Sequence, residues 1–171
     1  KVITLATEQR VITANAIANE LKSDFAAYLL PYNYAVGIHG GIDFVSNTIR
    51  LGVEKYIKNP EEYGILPSRA LVSLDIRNMF NAISRHKLRE IVRDEFPRLE
   101  PFVNSLYEED GTTCVKLDDG DWEKITVTDG FSQGCPLSPI LAAVVLNYIL
   151  KRVNKKLQSL AQQRNNGTSD D

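Results

Sequence analysis

The spacing of apolar residues in the first third of the chain predicts two helices. From residue 7 or 8 to about residue 30, apolar side chains recur every four or five positions, which is typical of an amphipathic helix, and Pro31 ends it. A second helix is predicted over residues 42–58, because its apolar residues share one face and Pro60 follows. That face consists of Phe44, Val45, Ile49, Val53 and Ile57.

The middle of the chain changes to a strand followed by a helix. Residues 71–74 form a short apolar run after a proline and a serine, which favours a buried strand that ends at Asp75. Ser84 is then predicted to cap a helix that runs to Phe96. The inward face of this helix is predicted to hold Leu88, Ile91, Val92 and Phe96, and its outward face Arg85, Lys87, Arg89 and Arg93.

A short helix and a hairpin are predicted next. Residues 102–107 follow two prolines and fit a short helix. Residues 112–117 and 123–128 both alternate between apolar and polar positions, and Asp119-Gly120 between them is a strong signal for a hairpin turn. The two strands are therefore expected to pair.

The last predicted element is a long helix. Ser138 is predicted as its N-cap and Pro139 as its first helical residue, and the helix runs to about Leu160. Residues 161–171 have no apolar face and are predicted to be disordered. The order of helices, strand, helix, hairpin and helix predicts an α+β fold in which an antiparallel sheet is backed on one side by helices.

Composition and charge narrow the class of protein. The 171 residues suffice for one domain with a core, and the net charge of −2 means that any binding of nucleic acid has to rest on local basic patches. The longest apolar run, residues 140–146, falls well short of the roughly 18 residues that a membrane span needs. Cys114 and Cys135 are too few for a zinc cluster and are predicted to be reduced and structural, in a protein of the nucleus or cytoplasm.

Two polar stretches are candidates for chemistry. Asp75 presents a carboxylate at the end of the predicted strand, although an Asp in that place commonly caps the following turn. The sequence FSQGCPLSP, residues 131–139, presents the amide of Gln133 beside the bare backbone of Gly134, so that a flat ligand can approach closely. Taken alone, this stretch is explained as the entry to a buried helix, so the two have to be weighed together.

The pair LDIRNMF and FSQGCPLSP resembles motifs A and B of reverse transcriptases, the RNA-directed DNA polymerases. The sequence DIRNMFNAISR is similar to enzymes of retrotransposon type, and a helix and a hairpin separate the two motifs, as the palm of this family requires. KVITLATEQR and AVGIHGGIDFVSNTIR resemble the fingers segments that precede motif A. The resemblance implies a fingers-like segment at residues 1–69, a partial palm at 70–160 and a tail at 161–171.

The resemblance implies a nucleotidyl transfer that uses two metal ions. In this reaction a primer 3′ hydroxyl attacks the α-phosphorus of an incoming nucleotide, and two divalent ions stabilise the attacking and leaving oxygens. Asp75 is implied to hold both Mg²⁺ ions, and the backbone carbonyl of Ile76 to help hold the ion that carries the triphosphate. The implied partners are an RNA template, a DNA primer and deoxynucleoside triphosphates.

Four further residues are implied to contact the nucleotide. Phe80 matches the aromatic gate that excludes a ribose 2′ hydroxyl, and a plain core phenylalanine is the alternative. Gln133 matches the residue that packs on the incoming nucleotide, and Gly134 the backbone beside the nascent pair. Arg10 corresponds to a fingers arginine on the triphosphate, with an ordinary surface charge as the alternative.

Two departures from the family pattern stand out. Asn81 occupies a position where many relatives have Asp, which removes one charge from the turn. No motif C, an aromatic-x-Asp-Asp turn between apolar strands, is found, and Asp170-Asp171 lacks both the aromatic and the strand. A single carboxylate cannot organise two Mg²⁺ ions, so the chain is expected to be a piece cut before motif C and to be inactive alone.

Two other functions stay open at this point. The first is a degenerate, non-catalytic relative that binds RNA or a protein partner through basic faces at residues 85–93 and 151–156. The second is a reverse transcriptase similar to group II intron maturases, which shares the chemistry and differs mainly in domains outside these residues.

Overall fold

The computed structural model describes residues 7–58, 71–131 and 134–166, beginning with two helices where the sequence predicts one. Helix α1 (Glu8–Glu20) starts at Thr7, whose side chain accepts a hydrogen bond from the Arg10 amide, and helix α2 (Lys22–Leu29) follows directly. Leu21 leaves helical geometry between them, with φ −95° and ψ 13°. Its side chain is buried, and the bend turns α2 so that its apolar side reaches the core.

The second predicted helix is confirmed as helix α3 (Gly41–Val53), which continues into a π-helical turn (Glu54–Lys58). Its apolar face is not buried, however. Phe44, Ile49 and Ile57 are all exposed, and Phe44 contacts only the ring of Tyr34 among the aromatic rings described, at 5.0 Å between centroids. The amphipathic pattern therefore predicted the helix correctly but not a neighbour that covers it.

The core lies between three later helices and α2. Helix α5 (Arg85–Glu95) packs against helix α6 (Glu100–Tyr107), with a 3-10 turn (Pro97–Leu99) between them, and both α5 and α2 pack on helix α7 (Ser138–Asn166). The side chains predicted to face inward from α5 are all buried, and each contributes about 1.5–3 kcal/mol of transfer free energy. Ser84 caps α5 as predicted, because its hydroxyl accepts a hydrogen bond from the Lys87 amide.

The predicted hairpin is confirmed. Strands β1 (Gly111–Lys116) and β2 (Trp122–Val127) pair antiparallel, with Gly111 opposite Val127 and Lys116 opposite Trp122. Among the described residues no third strand pairs with them, and β2 is almost entirely exposed. The α+β class is therefore confirmed, whereas the predicted sheet backed by helices is represented here by a single hairpin.

The strand predicted at residues 71–74 is wrong. Residues 71–76 have no regular structure, and the side chains of Leu71, Val72 and Leu74 are 58%, 71% and 87% exposed. An apolar run forms a strand only when another strand offers hydrogen-bond partners, and neither β1 nor β2 pairs with this segment. The chain therefore reaches Asp75 as an exposed, irregular segment.

Helix α7 differs from its prediction at both ends. Ser138 is its first helical residue, whereas the sequence predicts Ser138 as the N-cap and Pro139 as the first helical residue. The helix runs to Asn166, beyond the predicted end near Leu160. Residues 161–166 are thus helical, and the predicted disorder does not apply to them.

No helix in the described ranges is long and apolar enough to cross a bilayer. Both cysteines are free; Cys135 is buried, as a structural residue should be, but Cys114 is exposed.

Candidate functional site

The carboxylate of Asp75 is open to solvent. The residue lies in the irregular segment before the turn at Arg77 and Asn78, and its side chain makes no hydrogen bond or ion pair with any other described residue. The backbone carbonyl of Ile76 follows directly. Across the described ranges, no group of three His, Cys, Asp or Glu side chains is arranged to hold a metal ion.

A left-handed residue turns the chain after Asp75 into the short helix α4 (Met79–Ala82). Asn78 has φ 52° and ψ 40°, a conformation that asparagine tolerates better than most residues, and its carbonyl accepts hydrogen bonds from the amides of Asn81 and Ala82. Met79 and Phe80, the first residues of α4, are half-buried and pack against the core. The turn therefore fixes Phe80 on the protein body while Asp75 stays outside.

The two polar stretches of the sequence meet through their backbones. The Phe131 amide donates to the Phe80 carbonyl at 2.7 Å, and the Gly130 amide donates to the Ile83 carbonyl at 2.9 Å. Phe131 is the first residue of FSQGCPLSP, so the structure brings the predicted gate residue against the start of the second motif. We call this contact the Phe80–Phe131 junction.

Glycine is required at position 130 for this junction to form. Gly130 has φ 81°, and an added Cβ would lie 2.8 Å from the Cα of Asn81 and 2.9 Å from the Phe80 carbonyl oxygen. Real Cβ atoms do not approach backbone so closely, and the positive φ is strained for any other residue. Any larger residue would therefore push α4 away from the segment that follows β2.

Arg85 holds the same junction from the other side, and its predicted outward position is wrong. The side chain is 9% exposed; Nε donates to the Gly130 carbonyl and Nη1 to the Val127 carbonyl, both at 2.8 Å. The Arg85 amide also donates to Oδ1 of Asp129 at 3.1 Å. A helical wheel places Arg85 on the polar face of α5, but it occupies the first helical position, where the incoming chain can cover it.

An aromatic pair lines the buried side of the junction. The rings of Tyr107 and Phe131 stack with centroids 5.3 Å apart, and the Arg85 guanidinium lies 5.1 Å from the Tyr107 centroid. Burial raises the pKa of the Tyr107 phenol, while the nearby Ser138 hydroxyl and the positive charges of Arg10 and Arg85 act against that rise. The charge of Arg10 therefore reaches this side of the site from α1.

The remaining predicted residues are only partly described. Gly134 is exposed in the turn that leads into α7, whereas Gln133 lies outside the described residues. Sequence reasoning missed Asp129 and Gly130 as contributors, although the dipeptide Asp-Gly is itself a turn signal. The missed contribution of Arg85 had no comparable signal, because it depends on contacts more than 40 residues along the chain.

The family model described as "Reverse transcriptase (RNA-dependent DNA polymerase)" matches residues 60–165, which is more than half of the chain. The matched region includes Asp75, the Phe80–Phe131 junction and most of α7. Comparisons with curated proteins and with solved structures gave no significant match.

Proposed function

Because this chain belongs to the reverse transcriptase family, we propose that it carries the first catalytic carboxylate and the incoming-nucleotide pocket of a retroelement RNA-directed DNA polymerase. The observation that carries the proposal is the 2.7 Å hydrogen bond from the Phe131 amide to the Phe80 carbonyl. It joins the segment that follows Asp75 to the residue that opens FSQGCPLSP. This contact supports assigning both stretches to one site.

Asp75 and Ile76 offer oxygen ligands of the kind that Mg²⁺ prefers, a carboxylate and a backbone carbonyl. Enzymes of this family are generally metal-dependent, and bound Mg²⁺ would stabilise charge on the attacking and leaving oxygens. Two protein ligands are fewer than the roughly six oxygens of a Mg²⁺ shell, and water and substrate phosphates commonly supply part of the rest. Since no acidic cluster joins Asp75 in the described ranges, the proposal requires further carboxylates from elsewhere.

Phe80 is assigned to selection of the sugar. Its ring packs against the core, and its carbonyl is held by Phe131, so the side chain occupies a fixed volume beside the segment that leads from Asp75. A fixed ring discriminates by steric exclusion, because an additional 2′ hydroxyl would have to displace it. Phe80 therefore favours deoxynucleotides over ribonucleotides.

Arg10, Gln133 and Gly134 are assigned to the nucleotide. The exposed backbone of Gly134 allows close approach of a flat base pair, and the neighbouring Gln133 amide supplies hydrogen bonds. Arg10 supplies a planar guanidinium that matches phosphate oxygens. The effect of its charge on the Tyr107 phenol, whose ring stacks on Phe131, supports a role in the same site.

The test is primer extension on an RNA template by the protein that carries this chain, with a DNA primer, deoxynucleotides and Mg²⁺. Asp75→Ala is expected to lower the rate of primer extension at least about 100-fold, because loss of one group that stabilises charge in a transition state commonly has an effect of this size. Asp118→Ala is the matched control, because it removes an exposed carboxylate from the hairpin turn. Undiminished extension by Asp75→Ala, in a preparation that a chelator inactivates, would refute the assignment.

A further inference from the structure

The second half of α7 carries positive charge that no acid on the helix balances. Between residues 138 and 163 the helix has four cations and no Asp or Glu, in a chain whose net charge is −2. The four cations follow the buried half of the helix, and we call them the α7 basic surface. They are Lys151, Arg152, Lys155 and Lys156.

The cations of α5 differ from this surface because the Arg85 guanidinium is buried against backbone carbonyls and the other cations pair with acids. Lys87 pairs with Glu90, Arg89 with Glu108 and Arg93 with Glu100. None of the ion pairs formed within the described ranges includes a member of the α7 basic surface. Of the two basic faces that the sequence suggests, only the one on α7 is therefore available to an external anion.

Aromatic side chains hold the α7 basic surface on a packed frame. Nζ of Lys151 lies 3.7 Å from the ring centroid of Tyr28, and the Arg152 guanidinium lies 5.7 Å from that of Tyr148. Asn154, between the cations, donates to the Tyr32 hydroxyl at 2.7 Å. Because these contacts order the helix and two of its cations in advance, binding an anion there costs less conformational entropy. The rings are covered by cations, so the surface suits phosphates rather than stacked bases.

The apolar residues of this half-helix form an exposed stripe, which Arg152 and Lys156 flank and which faces away from Lys151 and Lys155. The stripe consists of Ile149, Val153, Leu157 and Leu160. Ile149 lies two positions before Lys151, and Val153 two positions before Lys155. Two positions correspond to about 160° around a helix of 3.6 residues per turn. An amphipathic partner helix would use that other side, whereas the side with Lys151 and Lys155 offers charge alone.

The distance along α7 separates this surface from the nucleotide pocket. Lys151 lies thirteen residues after Ser138, and at 1.5 Å per residue this separation along the helix is about 20 Å. A nucleic-acid strand rises about 3.4 Å per nucleotide, so roughly six nucleotides span the same distance. We infer that the α7 basic surface binds the phosphate backbone of the RNA template strand at a distance from the reacting nucleotide. The identity of the strand rests on the proposed function; the contact with a polyanionic strand rests on the charges alone.

The experiment measures binding of a fluorescein-labelled single-stranded oligouridylate of about 20 nucleotides, long enough to span that distance. The test variant Arg152→Gln/Lys155→Gln is compared with Arg93→Gln/Arg98→Gln, which removes the same charge from exposed side chains. If each lost cation contacts one phosphate, the slope of log Kd against log salt falls by about 1.4 and Kd rises about 20-fold at 0.1 M salt. The control is expected to change Kd by less than about threefold, since its cations are already paired.

The outcomes separate this inference from the proposed function. Equal loss of affinity in both double variants, or no loss in the α7 variant, overturns the inference whatever the polymerase activity. Tighter binding of polyglutamate than of the oligouridylate, at equal charge and salt and lost in the α7 double variant, also overturns it, in favour of an acidic protein partner. Loss of extension in Asp75→Ala with RNA affinity intact supports both assignments. Thermal unfolding of each double variant, followed by circular dichroism, checks that the fold is retained.

Discussion

Replacing Arg85 with alanine is expected to loosen the Phe80–Phe131 junction. The buried guanidinium donates to the carbonyls of Gly130 and Val127 at 2.8 Å each and lies over the Tyr107 ring. Alanine removes these contacts together and leaves both carbonyl oxygens without their donor. The junction would then rest on its two backbone hydrogen bonds, the bond from the residue-85 amide to Asp129, and the stacking of Tyr107 on Phe131.

The size of the effect follows from the three contacts. A hydrogen bond from a charged group contributes about 1.5–3 kcal/mol, and a cation against an aromatic ring about 0.5–2 kcal/mol. The three share one guanidinium and do not add independently, and the variant also escapes the cost of burying a charge. We therefore expect the free energy of unfolding to fall by about 3 kcal/mol. Arg85→Lys keeps the charge but not the planar fork, and is expected to lose about half as much.

Urea unfolding followed by far-ultraviolet circular dichroism measures the change. Arg93→Ala is the matched control, because the Arg93 side chain is 60% exposed and its ion pair with Glu100 contributes less than about 1 kcal/mol. A loss of less than about 1 kcal/mol in Arg85→Ala, or a loss equal to that of the control, would show that the guanidinium does not stabilise the junction.

Three shorter predictions accompany this one. Gly130→Ala is expected to lower the free energy of unfolding by more than about 2 kcal/mol in the same urea assay, because the new Cβ meets the Asn81 and Phe80 backbone. Gly120→Ala is the control and should lower it less, because Gly120 also has a positive φ but its new Cβ meets nothing within 4 Å. Phe80→Val is expected to increase ribonucleotide incorporation in primer extension relative to deoxynucleotides, and an unchanged ratio would favour a purely structural role. Burial, with smaller contributions from neighbouring charge, raises the pKa of Tyr28 to about 12, above the ordinary value of a tyrosine. The unfolded chain therefore loses this proton first, so stability falls as pH rises from 10 toward 12; Tyr28→Phe should flatten that part of the curve of unfolding free energy against pH.

Local patterns predicted the elements that local interactions determine. The Ser84 cap, the inward face of α5 and the hairpin around Asp119-Gly120 depend on residues a few positions apart, and all three are confirmed. The resemblance of the two motifs to one family also predicts that they form one site. Their backbone contact at Phe80 and Phe131 agrees with that expectation.

The predictions that failed depend on partners distant in the sequence. Residues 71–74 have the composition of a buried strand, but composition does not supply the neighbouring strand whose hydrogen bonds would order them. The outward assignment of Arg85 failed for the opposite reason, because the segment at Val127 and Gly130 folds over the first turn of α5. Helical periodicity describes a face of the helix and says nothing about what covers it.

These two failures concern the two sides of the same site. The chain leaving Asp75 is anchored firmly, since Asn78 turns it, Phe80 docks on the core, and Gly130 and Arg85 hold the junction. The chain entering Asp75 has no such anchor in the described residues, and its apolar side chains are open to solvent. The position of the Asp75 carboxylate is therefore constrained from one side only. Any element that pairs with residues 71–74 would bury these side chains and fix the carboxylate at once, so that folding of this segment and assembly of the metal ligands would be coupled.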